Sequence, residues 1–407
     1  MKKKNILLVG GSNVPAVCRA ASRRGLNIVA VNFPESFERE EPEEPFLHFE
    51  GVDFTQLMPT VRRLLELHAQ YSFVGVVAVS EFGLLPAAMV ARQLGLPGTP
   101  LSVVQDVRDK ARMRRRLEAK GLGHVRFRSC ASLGEAEEFF AGIGGPIIVK
   151  PVMGTGSDGV SRVDSASQLA AAWQLAGGAR AFGGVICEEY IDGPEVSVEA
   201  YLVDGRFVPV AITDKLTDEH FLEVGHSQPT LLSPAVQEQI FAATHDVLRA
   251  LGITDGVTHT EMRLSLKGPV LIETHTRMGG DFINVLTQET TGVDLGDVHV
   301  ALALGEVPDV RPGELSRGAA IRFLTGEEGL VTSVALPPAN SRRGIREIRS
   351  YVHAGDHTTG RSSSLDRLGH VITTGADRAT ADRIAEEVAA ECRFHIEAPP
   401  VAAAAAA

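Results

Sequence analysis

Residues 259–280 read HTEMRLSLKGPVLIETHTRMGG. Met262, Leu264, Leu266, Val270 and Ile272 alternate with polar residues on either side of Lys267-Gly268-Pro269, the pattern of two half-buried strands joined by a turn. A three-residue loop sets 266 opposite 270, 264 opposite 272 and 262 opposite 274, with all the apolar side chains on one face. A two-residue loop would put Leu264 and Ile272 on opposite faces, so hydrophobic phase favours the odd loop. The other face then carries Glu261 across from His275, with Glu273 two residues along and Arg277 beyond. Two close carboxylates repel unless a cation lies between them. Mg²⁺, or Mn²⁺ in its place, suits Glu261, Glu273 and His275 as a metal set, and Arg277 offers a planar fork to phosphate. The competing reading is a surface Glu273–Arg263 ion pair, because 263 faces 273 in the same register; such pairs contribute little.

The chain has 407 residues, 44% apolar but only 5% aromatic, and a formal net charge of -11. That length implies two or three domains, with cores built from Val, Ile, Leu and Ala. The charge speaks against a nucleic-acid partner but not against anionic small molecules. Cys18, Cys130, Cys187 and Cys392 are dispersed and form no CxxC, so reduced thiols are expected rather than zinc or disulfides. MKKK followed by ILLVGG is too short for a signal h-region, and no run of about 18 apolar residues exists to span a membrane. The expected location is the cytoplasm.

From the start, NILLVG, GGSN, VPAVCRAASRRG and NIVAVNF read as strand, glycine turn, helix and strand, a Rossmann-like unit without a full GxGxxG. A third strand, FVGVVAVS, ends just before Glu81, where ligands approach an open α/β sheet; a helix N-terminal charge is the other reading of that residue. ESFEREEPEEP at 35–45 is a charged, proline-broken loop. VVQDVRDKARMRRRLEAKGL reads as one basic helix. After Leu122 short strands alternate with helices, so an α/β first part gives way to an α+β pattern. A further change near Pro308–Pro312 leads to short strands and one late helix. The terminal alanine run carries no fold information.

A second cluster of chemistry precedes the hairpin. In GGPIIVKPVMGTGSDGV (144–160), Lys150 ends an apolar strand and a glycine loop follows, with Gly154, Gly156, Ser157 and Gly159 available to wrap backbone N–H groups around phosphate. An ordinary hairpin turn with a snorkelling lysine is the bland alternative. In CEEYIDGPEVSVEAYLV (187–203) the extended backbone from Glu188 through Glu189 to Ile191 offers donors and acceptors to a purine edge, and Glu195 offers oxygens to ribose hydroxyls. Lys110 and Lys215 are further phosphate candidates.

Taken in order, Lys110, KPVMGTGSDGV, EEYIDGPEVSVE, Lys215 and E…IETHTR resemble the ATP-grasp superfamily of carboxylate–amine ligases. HTEMRLSLKGPVLIETHTRMGGD is most similar to the bacterial L-amino acid ligases, which make dipeptides. The resemblance implies a Rossmann-like pre-ATP-grasp domain over 1–105, an ATP-grasp domain over 106–310 with a lid at about 125–185, and a biotin-carboxylase-like C-terminal domain over 311–400. It implies that Lys110 and Lys150 bind phosphates and that loop 154–159 closes over them. Glu188, Glu189 and Ile191 would hold adenine, Glu195 ribose, and Glu261 and Glu273 Mg²⁺. Arg277 and Lys215 would act on the transferred phosphate. His275 departs from the asparagine common in the family, which opens a substrate or supporting role for it.

The implied reaction is ATP-dependent ligation of a carboxylate, expected to be an amino acid, to an amine through an acyl phosphate. A related ligase or carboxylase acting on a non-amino-acid carboxylate is the alternative. The segment KLTDEHFLEVGHSQPT, too polar for a core, is expected to be a loop cover that brings Glu223 and His226 to substrate. Gly279, Gly280 and Asp281 would contact substrate, with Asp281 also read as a helix cap. Small-molecule substrates and a homodimer complete the expectations. A nucleotide sensor without turnover, or a dinucleotide enzyme built on VGGSN, fits fewer of these residues.

Overall fold

The computed structural model describes residues 3–11, 14–34, 46–178, 182–218, 221–310, 313, 317–361 and 363–398. The charged stretch 35–45, part of the first glycine turn and the terminal alanine run lie outside them. The chain divides into two compact units, Met1–Ser129 with Ile191–Thr213 and Thr230–Leu315, and Cys130–Tyr190 with Asp214–Pro229 and Ser316–Ala407.

The first unit opens with a parallel sheet in the order His48–Gly51, Asn27–Asn32, Asn5–Val9, Phe73–Ala78. Alternate residues of these strands enter two cores. Ile6, Leu8 and Val77 pack with Val17 of helix Val14–Arg23 and with Leu295 and Val298 of helix Leu295–Ala303. Leu7, Val9 and Val76 pack with Leu64 of helix Leu57–Tyr71 and with Leu84 and Val90 of helix Glu81–Leu94. Burial of both faces is why these strands read as unbroken apolar runs. Helix Glu81–Leu94 starts at a Ser80 cap and lies so close to the sheet that a Cβ on Gly83 would be 2.7 Å from the Val9 carbonyl oxygen.

The same unit holds four antiparallel strands in the order Gly268–His275, Gly256–Ser265, Glu195–Val203, Arg206–Thr217. Met262, Val198 and Leu271 meet Ile240 and Leu248 of helix Pro234–Leu251, and Val103 and Met113. The expected single basic helix is two, Leu101–Arg108 and Lys110–Ala119, broken at Asp109. Asp109 is extended, and its side chain caps the second helix by accepting from the Arg112 N–H at 2.8 Å.

The expected register of the hairpin is overturned. Ser265 faces Gly268, so the turn has two residues, with Leu266 fully exposed. Met262 faces Leu271, Ile272 bulges out of the ladder, and beyond it Glu261 faces Glu273 directly. Hydrophobic phase misled because the bulge resets it partway along the strand. The Glu273–Arg263 pair does not form: Arg263 faces Val270 and its Nε donates to Glu195 Oε2 at 3.1 Å.

In the second unit, strands Phe182–Glu189, Ile147–Met153 and Ser161–Val163 lie side by side. Helices Leu133–Ile143 and Leu169–Gly178 cover them through Phe139, Leu169 and Ala172. The end of strand Arg206–Thr217 pairs with Glu223–Gln228, which continues to Gly318–Leu324, Gly369–Gly375 and Ile345–Ser350. Helix Arg378–Glu391 packs there through Ile384 and Val388. The polar segment expected to be a loop cover is therefore mostly a strand pair, with Lys215, His226, Ser227 and Gln228 buried. All four cysteines are buried free thiols. Among the described residues no helix is long and apolar enough to cross a membrane.

Candidate active site

Period-two alternation after the bulge sets His259 and Glu261 on one face of strand Gly256–Ser265, opposite His275 and Glu273. The Thr260 and Thr274 hydroxyls, 2.7 Å apart, close the other side. The bulge is held from outside the hairpin: Arg114 donates to the carbonyl oxygens of Leu271 at 2.8 Å and Ile272 at 2.9 Å.

Two carboxylate–imidazole–carboxylate rows result. In one, Glu81 Oε2 lies 2.9 Å from His275 Nδ1, and His275 Nε2 lies 3.2 Å from Glu273 Oε1. In the other, Glu199 Oε1 lies 2.8 Å from His259 Nδ1, and His259 Nε2 lies 3.1 Å from Glu261 Oε1. The two rings stack with centroids 6.0 Å apart and planes 19° apart. Lys110 Nζ sits 2.8 Å from Glu273 Oε2. The helix break at Asp109 puts Lys110 at a helix start.

Burial alone would strip the proton from each ring, but the flanking carboxylates win. The pKa of His259 is pushed up to about 9 by Glu199 and Glu261. Burial and Arg277 oppose protonation of His275, yet Glu81 and Glu273 raise its pKa. Burial likewise opposes ionisation of Glu81, but His275, Arg277 and Arg108 hold it down at about 2. Glu273 is held well below the usual carboxylate range by Lys110 and His275 against its burial. Each ring thus has both nitrogens turned to carboxylate oxygens.

Glu81 bears out its reading as a helix N-terminal charge. It opens a helix, where an acid is favoured, and it is buried among His275, Arg108 Nε at 3.2 Å and Arg277 Nε at 3.5 Å. Arg277 follows the end of the strand and donates from one terminal nitrogen to the Met278 carbonyl at 2.9 Å. Gly279 is pressed against the second row: a Cβ there would be 2.8 Å from His259 Nδ1 and 3.1 Å from Glu199 Oε2. Gly280 has open space around it. Asp281 is not the cap residue of the next helix: Phe282 caps helix Ile283–Thr291 without a side-chain cap bond, and both residues have positive φ. Glu195 lies apart from the two rows, with Arg263, whose terminal nitrogen also donates to the Ile191 carbonyl at 3.1 Å.

The second unit gathers the other candidates into two groups. Lys150 Nζ and Glu188 Oε2 are 2.7 Å apart on neighbouring strands, both buried. The loop from Gly154 follows, with positive φ at Gly156, Ser157 and Gly159. The Ser157 hydroxyl donates to the Phe221 carbonyl at 3.2 Å, and Ser364 N–H donates to the Gly156 carbonyl at 3.2 Å. Glu189 ends the strand, and the Tyr190 N–H after it donates to the Pro146 carbonyl at 3.1 Å. In the second group Lys215 Nζ is 2.6 Å from Glu223 Oε1 and Lys215 faces His226 in register. Arg367 donates to the Glu223 carbonyl at 2.9 Å, and its guanidinium lies 3.6 Å from the centre of the Phe323 ring. His226 is fully buried and meets Phe323 edge to face.

The residues present suit Mg²⁺ and a polyphosphate. Two glutamates face each other across one ladder position and offer hard oxygen donors. The glycine loop after Lys150, with positive φ at Gly156, Ser157 and Gly159, has backbone N–H groups free of bulky side chains to offer an anion. Sequence reasoning missed Glu199, His259 and Arg114 as parts of the site. The signal for Glu199 is a lone acid inside the apolar strand EVSVEAYLV; His259 lies one period before Glu261.

A family model for the ATP-grasp domain matches residues 143–285, one for the ATP-grasp N-terminal domain residues 18–98, and one for L-amino acid ligase C-terminal domain 2 residues 322–397. Carnosine synthase 1 of Gallus gallus is 28% identical over 80% of this chain and 38% of its own length. Alanine–anticapsin ligase of Bacillus subtilis is 24% identical over 63% of this chain and 60% of its own length. The chain thus spans less than two thirds of either relative. The solved L-amino acid ligase of Bacillus licheniformis superposes with a TM-score of 0.82 over 98% of this chain and 100% of that one, at 22% identity.

Proposed function

We propose that this chain, a member of the ATP-grasp superfamily, is an ATP-dependent ligase that joins the carboxylate of one amino acid to the amine of a second. The reading rests above all on Glu261 and Glu273, set directly opposite each other with Lys110 on Glu273 and Arg277 nearby in the chain. By their names, carnosine synthase makes carnosine and alanine–anticapsin ligase joins alanine to anticapsin.

The chemistry has two displacements. A carboxylate oxygen attacks the γ-phosphorus of ATP and ADP leaves. The amine then attacks the acyl carbon, phosphate leaves with the bonding electrons, and the amine loses a proton. Positioning and charge neutralisation carry most of such a reaction. Glu261 and Glu273 are the assigned Mg²⁺ ligands, and bound Mg²⁺ would neutralise phosphate oxygens. His275, committed to Glu81 and Glu273, is assigned an orienting role rather than ligation. Lys110, Lys150 and loop 154–159 are assigned to the phosphates, Glu188, Glu189, Ile191 and Glu195 to the nucleoside, and Lys215 and Arg277 to the transferred group. Glu81, Glu223, His226 and the Gly279–Asp281 turn are assigned to the amino acids.

The test is ADP release from ATP and Mg²⁺ with single amino acids and then pairs. Amino-acid-dependent release with a dipeptide mass is the expected result. Tight ATP binding with no release for any amino acid would overturn the substrate assignment.

A further inference from the structure

Well-packed interiors hold few voids larger than a water molecule, yet the first unit contains a cavity of about 380 Å³. It lies along helix Glu81–Leu94, where Ala87, Ala88 and Ala91 form a wall of small side chains facing Val76, Ala78 and Leu302. None of Glu81, Lys110, Glu261, Glu273, His275 or Arg277 lines it. Two buried polar atoms on its lining residues have no hydrogen-bond partner: the Thr276 hydroxyl, on a residue 6% exposed, and His299 Nδ1. Each such orphan costs roughly 1–3 kcal/mol, and two on residues lining one cavity mark a place where a guest would supply the missing bonds. Burial pushes the His299 pKa down to about 4, so the ring is neutral near pH 7 and offers one donor and one acceptor. Asp204, Asp255 and Glu306 also border the cavity, and Asp204 and Glu306 are exposed, which marks the open side and repels anions.

We propose that this cavity is a second small-molecule site, separate from the ligase centre. Its ligand is a compact, mainly apolar molecule with one uncharged hydrogen-bonding group, a hydroxyl or amide, engaged by Thr276 and His299. The volume falls at the small end of known ligand pockets, about 300–1,000 Å³, which suits a single ring or a branched aliphatic chain.

Three probes with one ring test this on the full chain by calorimetry: benzyl alcohol, toluene and benzoate. Benzyl alcohol should bind at least ten-fold more tightly than benzoate. Thr276→Val should weaken benzyl alcohol several-fold and leave toluene unchanged, and it should fold normally because the hydroxyl it removes has no partner. Ala87→Phe, which fills the cavity, should abolish binding of both. No binding of any probe at millimolar concentration, equal binding of benzoate, or full benzyl alcohol binding in Ala87→Phe would overturn the proposal. If Ala87→Phe does not fold, the Thr276→Val contrast between benzyl alcohol and toluene decides alone.

Discussion

Gly279→Ala should cripple the proposed ligase centre, although it adds one methyl group. The new Cβ would lie 2.8 Å from His259 Nδ1, 3.2 Å from His259 Cε1 and 3.1 Å from Glu199 Oε2, where ordinary contacts begin at 3.4 Å. The His259 ring must retreat by about half an ångström or more. It is buried, and the crowded nitrogen is the one bonded to Glu199 at 2.8 Å. If the ring slides without losing that bond, the cost is about 1–3 kcal/mol, as for overpacking. If the bond breaks, a buried pair loses its partner and the cost rises to about 3–5 kcal/mol. Because His259 also holds Glu261 at 3.1 Å, its movement shifts an assigned metal ligand; a misplacement of about 1 Å costs about 10²-fold in rate, so a loss of roughly 10-fold or more is expected. Urea midpoints at constant m and ADP release rates measure both effects. Gly280→Ala is the control, since its Cβ meets nothing within 4 Å; it should stay within about 0.5 kcal/mol of the parent. Equal stability and equal turnover of the two variants would refute the reasoning.

Glu273→Gln should lower ADP release by about 10²–10³-fold, because it removes a ligand charge and the partner of Lys110 and His275; parent-like turnover would remove the metal assignment. Lys110→Met should raise the ATP KM about ten-fold or more through loss of a charge-assisted contact of about 1.5–3 kcal/mol, and an unchanged KM would take Lys110 out of the phosphate site. His299 has a folded pKa of about 4, below its ordinary 6.5, so between these values the unfolded chain binds more protons and stability falls as pH falls. Relative to His299→Leu, the parent should lose about 2 kcal/mol between pH 7.5 and pH 5; parallel urea midpoints across that range would contradict the burial. Glu81→Gln and His275→Gln should be coupled by about 1–3 kcal/mol in a double-mutant cycle, because Glu81 Oε2 and His275 Nδ1 share a buried bond of 2.9 Å; additive effects would deny it.

What could be read from the sequence was what one segment determines alone. NILLVG and FVGVVA announce strands buried on both faces, and they are neighbours in the parallel sheet. The glycine loop after Lys150 and the acids of the hairpin are legible as composition at a strand end. The register was not, because the Ile272 bulge is fixed by Arg114 from 157 residues away. The strand pair after Lys215 was misread for a related reason. Its polarity argues against burial until Glu223 is seen taking Lys215 at 2.6 Å and Arg367 closing the other side from 144 residues away. In each case a distant partner satisfies groups that the local pattern alone would expose to water.

The exchange of the family's asparagine for His275 belongs to the same class of long-range fact. An amide at 275 would bring its two N–H donors on a single nitrogen and no positive charge. An imidazole presents one ring nitrogen to each of two carboxylates on opposite sides. Here the second carboxylate is Glu81, 194 residues earlier, at the start of a helix on the parallel sheet. The histidine therefore ties the hairpin's glutamate to the N-terminal part of the unit. His259 does the same between Glu261 and Glu199 on the adjoining strand. Glu261 and Glu273 are thus each held by a ring that is itself held, which would set the spacing of the pair ahead of the proposed Mg²⁺. That is the condition under which two close carboxylates bind one cation without first having to be brought together.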